Sequence, residues 1–190
     1  LEKPPPVDRG LLVGSLALKA TGLVMAFFCG LAFVVCYLLF TLYSFSYSHP
    51  AIRIKSRPVA SAATVFMGQG IVGYLAGWFA SGGSLGTLAT PMAVVGSLGA
   101  AFLVSALYPL TQVYQFDEDA RRRDLTLARW LGIQNSFRYI VALFCVGAAC
   151  MCFVFWGKDR GGESVLLVLY ICAVLGYLRR LAMHIRLHDF

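Results

Sequence analysis

The chain has 190 residues, of which 59% are apolar and 13% charged, with net charge +7 and a mean hydropathy of +0.74. A soluble domain carries about twice that charged fraction, so the composition excludes an ordinary soluble enzyme. The apolar runs show no period-2 alternation, which excludes an outer-membrane barrel. The positive charge matches the basic residues that membrane proteins gather on their cytoplasmic side, so no nucleic-acid partner is implied.

The first element is the apolar run from Leu11 to Tyr47, interrupted in charge only by Lys19. As one helix it would extend about 55 Å, well beyond a hydrocarbon core of about 30 Å. The pair Cys29-Gly30 divides it into two spans, about 11–28 and 31–47. A short basic connector follows, and Pro50 and Pro58 end the helices on either side of it. Arg53, Lys55 and Arg57 alternate there, so an extended backbone aims all three to one side. Three convergent cations at a membrane face suit an anionic headgroup or a diphosphate. The same residues also satisfy the charge bias that orients a membrane protein, with no ligand at all.

Two more spans lie at about 60–80 and 89–108, joined by a tight turn at Gly82-Gly83. Gly73 and Gly77 stand four apart in the first of them, a spacing that admits the backbone of a neighbouring helix. The charge of the chain concentrates next, between Tyr108 and Gly132. Asp117, Glu118, Asp119 and Asp124 are interleaved there with Arg121, Arg122, Arg123 and Arg129. Charge beside a bilayer is expensive and tends to be functional. If helix continues past Pro109 to residue 127, Tyr114, Asp117, Arg121 and Asp124 share a face, with Asp119 within reach of Arg123. Asp117 and Asp124 would then share a divalent cation with a bound phosphate, because Mg2+ takes one or two protein carboxylates plus phosphate oxygens. An interfacial helix laced by ion pairs such as Asp117–Arg121 accounts for the same spacing.

The last spans lie at about 136–156 and 164–181, with Gly161-Gly162 marking the turn between them. The fold class is therefore all-α, a multi-span transmembrane bundle with six spans, forming a single domain over 1–190. Six spans put the amino end, the loops at about 48–59 and 109–135, and the carboxyl tail on one side. Of the 16 Lys and Arg residues, all but Lys19, Lys158 and Arg160 fall there. That side faces the cytoplasm of a cell or inner membrane. The six cysteines lie within the apolar segments, lack zinc-ligand spacing and read as packing residues. The chain opens on Leu1 and closes just after a basic stretch, so the expectation is a piece of a longer protein.

At its two charged loops the chain resembles the UbiA superfamily of intramembrane prenyltransferases. Tyr47-Ser48-His49-Pro50 with Arg53 and Lys55 looks like the family's Tyr-Ser-Pro-Pro turn and its basic residues. The block from Asp119 through Asp124 and Thr126 to Gly132 looks like the second aspartate motif and its trailer. Pro4 to Leu12 looks like the segment just after the first aspartate motif. That first motif, of the form Asn-Asp-x-x-Asp-x-x-x-Asp, is absent from these residues, and Gln115 stands where the second motif's first aspartate is expected.

The resemblance implies a bundle of about nine spans, six of them present here, that binds a prenyl diphosphate through Mg2+. The allylic carbon–oxygen bond ionises and an acceptor in the lipid phase, commonly an aromatic ring, takes the isoprenyl group. On this reading Asp117, Asp119 and Asp124 coordinate Mg2+, and Asp119 and Asp124 carry the catalytic weight. Arg53, Lys55 and Arg123 contact the diphosphate, while Tyr47, Tyr108 and Tyr114 line the mouth, where ring faces stabilise a cation. With one aspartate motif missing, these residues alone are expected to be inactive. The rival expectation is a non-catalytic membrane protein that keeps the fold and binds a lipid or a partner. A small transporter would need ionisable residues near the bilayer midplane, where Lys19 alone qualifies.

Overall fold

The computed structural model describes residues 8–188, with side chains through Met183. Residues 3–7, which include part of the opening motif, and the side chain of Arg186 lie outside that description. Helix α1 (Arg9–Cys29) starts where the Asp8 carboxylate accepts a hydrogen bond from the Leu11 amide at 2.7 Å, occupying a donor that the first helical turn leaves free. It stops at Gly30, whose φ of +105° suits only glycine, and α2 (Leu31–Ser48) begins at once. The long apolar run thus divides at the expected glycine. Tyr37 ties the two helices together, its hydroxyl donating to the Lys19 carbonyl at 2.8 Å.

The third span combines α3 (Pro58–Thr64), a π-helical stretch (Val65–Val72) and α4 (Gly73–Ala80). Pro58 opens α3 at a position whose amide would have no intrahelical partner. The chain then turns at Gly82 (φ +88°) and enters α5 (Pro91–Val113) through Thr90, whose side chain accepts from the Ala93 amide. Two short helices follow, α6 (Phe116–Arg121) and α7 (Leu127–Leu131), before α8 (Ile133–Trp156) and α9 (Gly161–His188). Among the described residues six helical spans are long and apolar enough to cross a membrane.

The most extensive packing is between α5 and α8, with α9 laid along α8. Ala106, Ile140, Phe144, Ile171 and Leu178 form the buried core of this half. Glycines make the close approach possible: a Cβ on Gly99 would meet Cys150, and one on Gly147 would meet Leu103. On the other face of α5, Gly70 of the π-helical stretch abuts Ala101. Among the described residues α1 and α9 bury little of their surface, and many of their leucines and valines are exposed.

Four expectations change. Gly73 and Gly77 face open space; Gly68 and Gly70, on the π-helical stretch ahead of them, make the contacts instead. A π-helical turn holds more residues than an α-turn and so resets the face that follows it. The turn between α8 and α9 is made by residues 157–160, with Asp159 at φ +56°, and Gly161 is the first residue of α9. The span expected at about 89–108 runs on through Pro109 to Val113 as α5. The expected loop at 109–135 is therefore largely helical, and it does not continue as one helix to residue 127.

Candidate functional site

The 49–57 connector is not extended. Its backbone bonds back on itself, the Arg53 amide donating to the His49 carbonyl at 2.7 Å, and Ile54–Ser56 form a 3-10 turn. Arg53 takes a left-handed conformation (φ 45°, ψ 53°), uncommon for a side chain of its size. The alternation of Arg53, Lys55 and Arg57 therefore does not aim three cations to one side. The bend instead brings Arg53 to the second charged loop, 71 positions away in sequence.

In that loop α6 ends at Arg121 and the chain folds back, with Arg123 also left-handed (φ 58°). The turn closes by a bond from the Asp124 amide to the Asp119 carbonyl at 2.9 Å. This carries Asp124 inward, to 4% exposure, and its carboxylate meets Arg53 Nη2 at 3.0 and 3.1 Å. Asp117 stays exposed on α6, and the common face with Asp124 does not form. The i,i+4 pair on α6 joins Glu118 to Arg122, in place of the expected Asp117–Arg121.

Asp119 is half-buried beside Asp124. Burial pushes its carboxyl above the ordinary carboxylate range, and the nearby Asp124 and Glu118 charges add to that. The neighbouring Thr126 hydroxyl and Lys55 ammonium pull in the opposite direction. Thr126 Oγ1 is buried and closes no hydrogen bond of normal geometry with any protein group, so a polar atom beside Asp119 is left open. Among the described residues no cluster of three or more acidic, histidine or cysteine side chains is placed to hold a metal. Asp119 and Asp124 are two neighbouring carboxylates, the number Mg2+ commonly takes from a protein when phosphate oxygens and water supply its other ligands.

Arg129 and Gln112 hold this turn, and neither is among the site residues expected from the sequence. Arg129 Nη1 donates to the carbonyls of Asp119 (3.3 Å) and Asp124, fastening both ends of the turn. Gln112, buried near the end of α5, accepts the Ala128 amide at 3.0 Å. It does for the first turn of α7 what an N-cap side chain normally does, as the Thr126 side chain makes no capping bond there. A count of charges and spacings gives no sign of such contacts.

Directly below lies a cavity of 380 Å³ between α2, the α3–π-helical span and α5. Phe40, Val65, Val104 and Leu107 give it apolar walls; Tyr43 and Gln69 are among its polar ones. Tyr47 and Tyr108 close it toward the charged loops, their hydroxyls 3.0 Å apart and their rings edge to face at 6.5 Å. Of the expected site residues, Arg53, Lys55, Asp119 and Asp124 come together near the Tyr47–Tyr108 end of this cavity. Asp117 and Arg123 are exposed, and Tyr114, 91% exposed, does not line the cavity.

A model of the UbiA prenyltransferase family matches residues 8–188. Among solved structures, a UbiA homolog from Archaeoglobus fulgidus bound to Cd2+ superposes with a TM-score of 0.75 at 17% identity, over 92% of this chain. The chain spans 64% of that protein's length. Comparison with curated proteins gives no match.

Proposed function

The chain belongs to the UbiA prenyltransferase family, and on that premise we propose that it forms the later part of an Mg2+-dependent site that moves an isoprenyl group from its diphosphate to a membrane-accessible aromatic acceptor. The observation that carries the reading is the placement of two carboxylates and two cations at the polar end of an apolar cavity inside the helical bundle. Mg2+, when bound, would neutralise charge on the leaving diphosphate. Asp119 and Asp124 would hold it, and the Cd2+ bound by the Archaeoglobus protein is consistent with a cation site in this fold.

The protein's own residues supply the rest. Lys55, and Arg53 once turned from Asp124, stabilise the oxygens that gain charge as the allylic carbon–oxygen bond breaks. The apolar walls hold the isoprenoid chain and keep water from the allylic cation. Tyr47 and Tyr108 present ring faces and hydroxyls at the junction of the two regions. Asp117 and Arg123 take outer positions, where their charges contribute to the field at the entrance, and Tyr114 stands apart from it. The charged loops face the cytoplasm on this reading, supported by the placement of nearly all Lys and Arg at their end of the bundle.

The test is Mg2+-dependent binding of farnesyl diphosphate to the purified protein in detergent micelles. Asp119→Asn is expected to abolish the Mg2+ dependence, and Tyr114→Phe to leave binding unchanged. Binding that ignores both Mg2+ and Asp119→Asn would sink the metal assignment. A second reading, a non-catalytic protein of the same fold that binds a lipid, is favoured by Gln115 at a motif aspartate position and by the engagement of Asp124 with Arg53. It predicts lipid binding without any prenyl transfer.

A further inference from the structure

The two carboxylates of the site belong to the two ends of one backbone motif, at the carboxyl end of α6. The Asp124 amide donates to the Asp119 carbonyl at 2.9 Å, and the Arg123 amide to the Ala120 carbonyl at 3.1 Å. With Arg123 left-handed just after the Arg122 cap, these two bonds make a Schellman motif. Its backbone draws together the residues at the positions of Asp119 and Asp124, where a hydrophobic contact commonly forms. Here two acids occupy those positions.

Two features work against this turn. The left-handed position normally belongs to glycine, and an arginine there crowds its Cβ against the following carbonyl. Like charges at the two ends repel, and the Asp124 charge is among the influences that raise the Asp119 carboxyl. A strained conformation persists only where its surroundings over-determine it. Arg53 grips the Asp124 side chain and leaves the backbone untouched. Arg129 reaches back from α7 and donates from one nitrogen, Nη1, to the Asp119 carbonyl at 3.3 Å and to the Asp124 carbonyl. Its guanidinium forms no ion pair with a carboxylate among the described residues, so the backbone of the turn is what it holds.

We propose that Arg129 is a positioning residue for the metal site: by bridging the carbonyls of Asp119 and Asp124 it keeps a strained turn closed and fixes the separation of the two carboxylates. This rests on the reading of Asp119 and Asp124 as Mg2+ ligands. In this role Arg129 acts through the two aspartates and contacts neither cation nor diphosphate. Losing an outer partner that orients metal ligands typically costs about 10–100-fold in metal affinity. The direction is diagnostic, because deleting a positive charge beside a cation site would by electrostatics alone strengthen cation binding.

The test is the Mg2+ concentration that half-saturates binding of farnesyl diphosphate to the purified protein in detergent micelles. Arg129→Gln is expected to raise it about tenfold. Arg129→Lys keeps the charge without the planar fork and shifts the same way by a smaller factor, so the test survives a folding failure of Arg129→Gln. Adding Arg123→Gly to Arg129→Gln restores the unsubstituted value to within about twofold, because glycine takes the left-handed position without strain. Adding Arg123→Gln instead deletes the same charge, keeps the strain and restores nothing. Hydrogen exchange at the Asp124 amide, followed without Mg2+, speeds in Arg129→Gln and slows again once Arg123→Gly is added. Equal rescue by Arg123→Gly and Arg123→Gln would make the effect one of charge and overturn the proposal. A clear Mg2+ requirement that Arg129→Gln leaves unchanged or lowers overturns the positioning role alone. If the unsubstituted protein binds farnesyl diphosphate without regard to Mg2+, the reading of the aspartates as ligands fails and the proposal falls with it.

Discussion

Arg53→Gln strips the buried Asp124 carboxylate of its guanidinium partner, whereas Asp124→Asn leaves a guanidinium that is 45% exposed and free to hydrate. The two substitutions delete the same contact, yet their costs should differ. Removing one member of a fully buried ion pair costs about 3–5 kcal/mol. Half exposure of Arg53 screens the pair, so we expect about 2 kcal/mol for Arg53→Gln. Asp124→Asn should cost about 1 kcal/mol or less, because the stranded group reaches water. Arg53→Gly adds a third comparison. It removes the same charge but relieves the left-handed backbone at φ 45°, so it should recover about 1 kcal/mol relative to Arg53→Gln. The double variant Arg53→Gln/Asp124→Asn should be milder than the sum of its parts by about 1 kcal/mol. Equilibrium unfolding in mixed micelles with increasing dodecyl sulfate measures all four. Equal losses for Arg53→Gln and Asp124→Asn, with additive behaviour in the double variant, would refute the claim that the pair holds a buried charge.

Other substitutions probe the packing and the turn. Gly70→Val drives a side chain into Ala101 of α5 and should destabilise by about 2 kcal/mol or more, whereas Gly73→Ala and Gly77→Ala meet open space and should gain about 0.5 kcal/mol each; unfolding titrations that rank them otherwise would contradict the helix contacts. Gln112→Leu leaves the Ala128 amide without its acceptor and should cost about 1–3 kcal/mol, with faster hydrogen exchange at residues 127–131 as the local readout. Asp119 has a folded-state carboxyl raised above its unfolded value, so its contribution is favourable in acid and is lost as pH rises through the folded value. Asp119→Asn should therefore raise the apparent Tm at pH 7 in magnesium-free buffer, an advantage that shrinks on acidification. A Tm difference that is flat with pH would show that burial does not strain this carboxyl.

Much of the architecture is legible in the residues themselves. Apolar runs of bilayer length fix six spans, and Gly30 divides the first run because no other residue accepts its backbone angle so readily. The short charged loops are visible as the places where polar chemistry gathers. Face-sharing within those loops is not legible in the same way. A helical projection from 109 to 127 puts Asp117 beside Asp124, but the chain breaks after Val113 and again after Arg121. Asp124 then turns inward while Asp117 stays out.

Composition, span length and charge bias are local or summed properties, and a linear sequence carries them completely. It determined here that the chain is a helical membrane bundle with most of its charge in two loops. The pairing of Arg53 with Asp124, the clamp by Arg129, the cap by Gln112 and the contact glycines at 68 and 70 depend on which segments meet. Those meetings are decided by helix packing and by two left-handed residues in the loops, which spacing along the chain does not encode. Only the tertiary structure could choose among them, because each contact draws its energy from partners far apart in sequence.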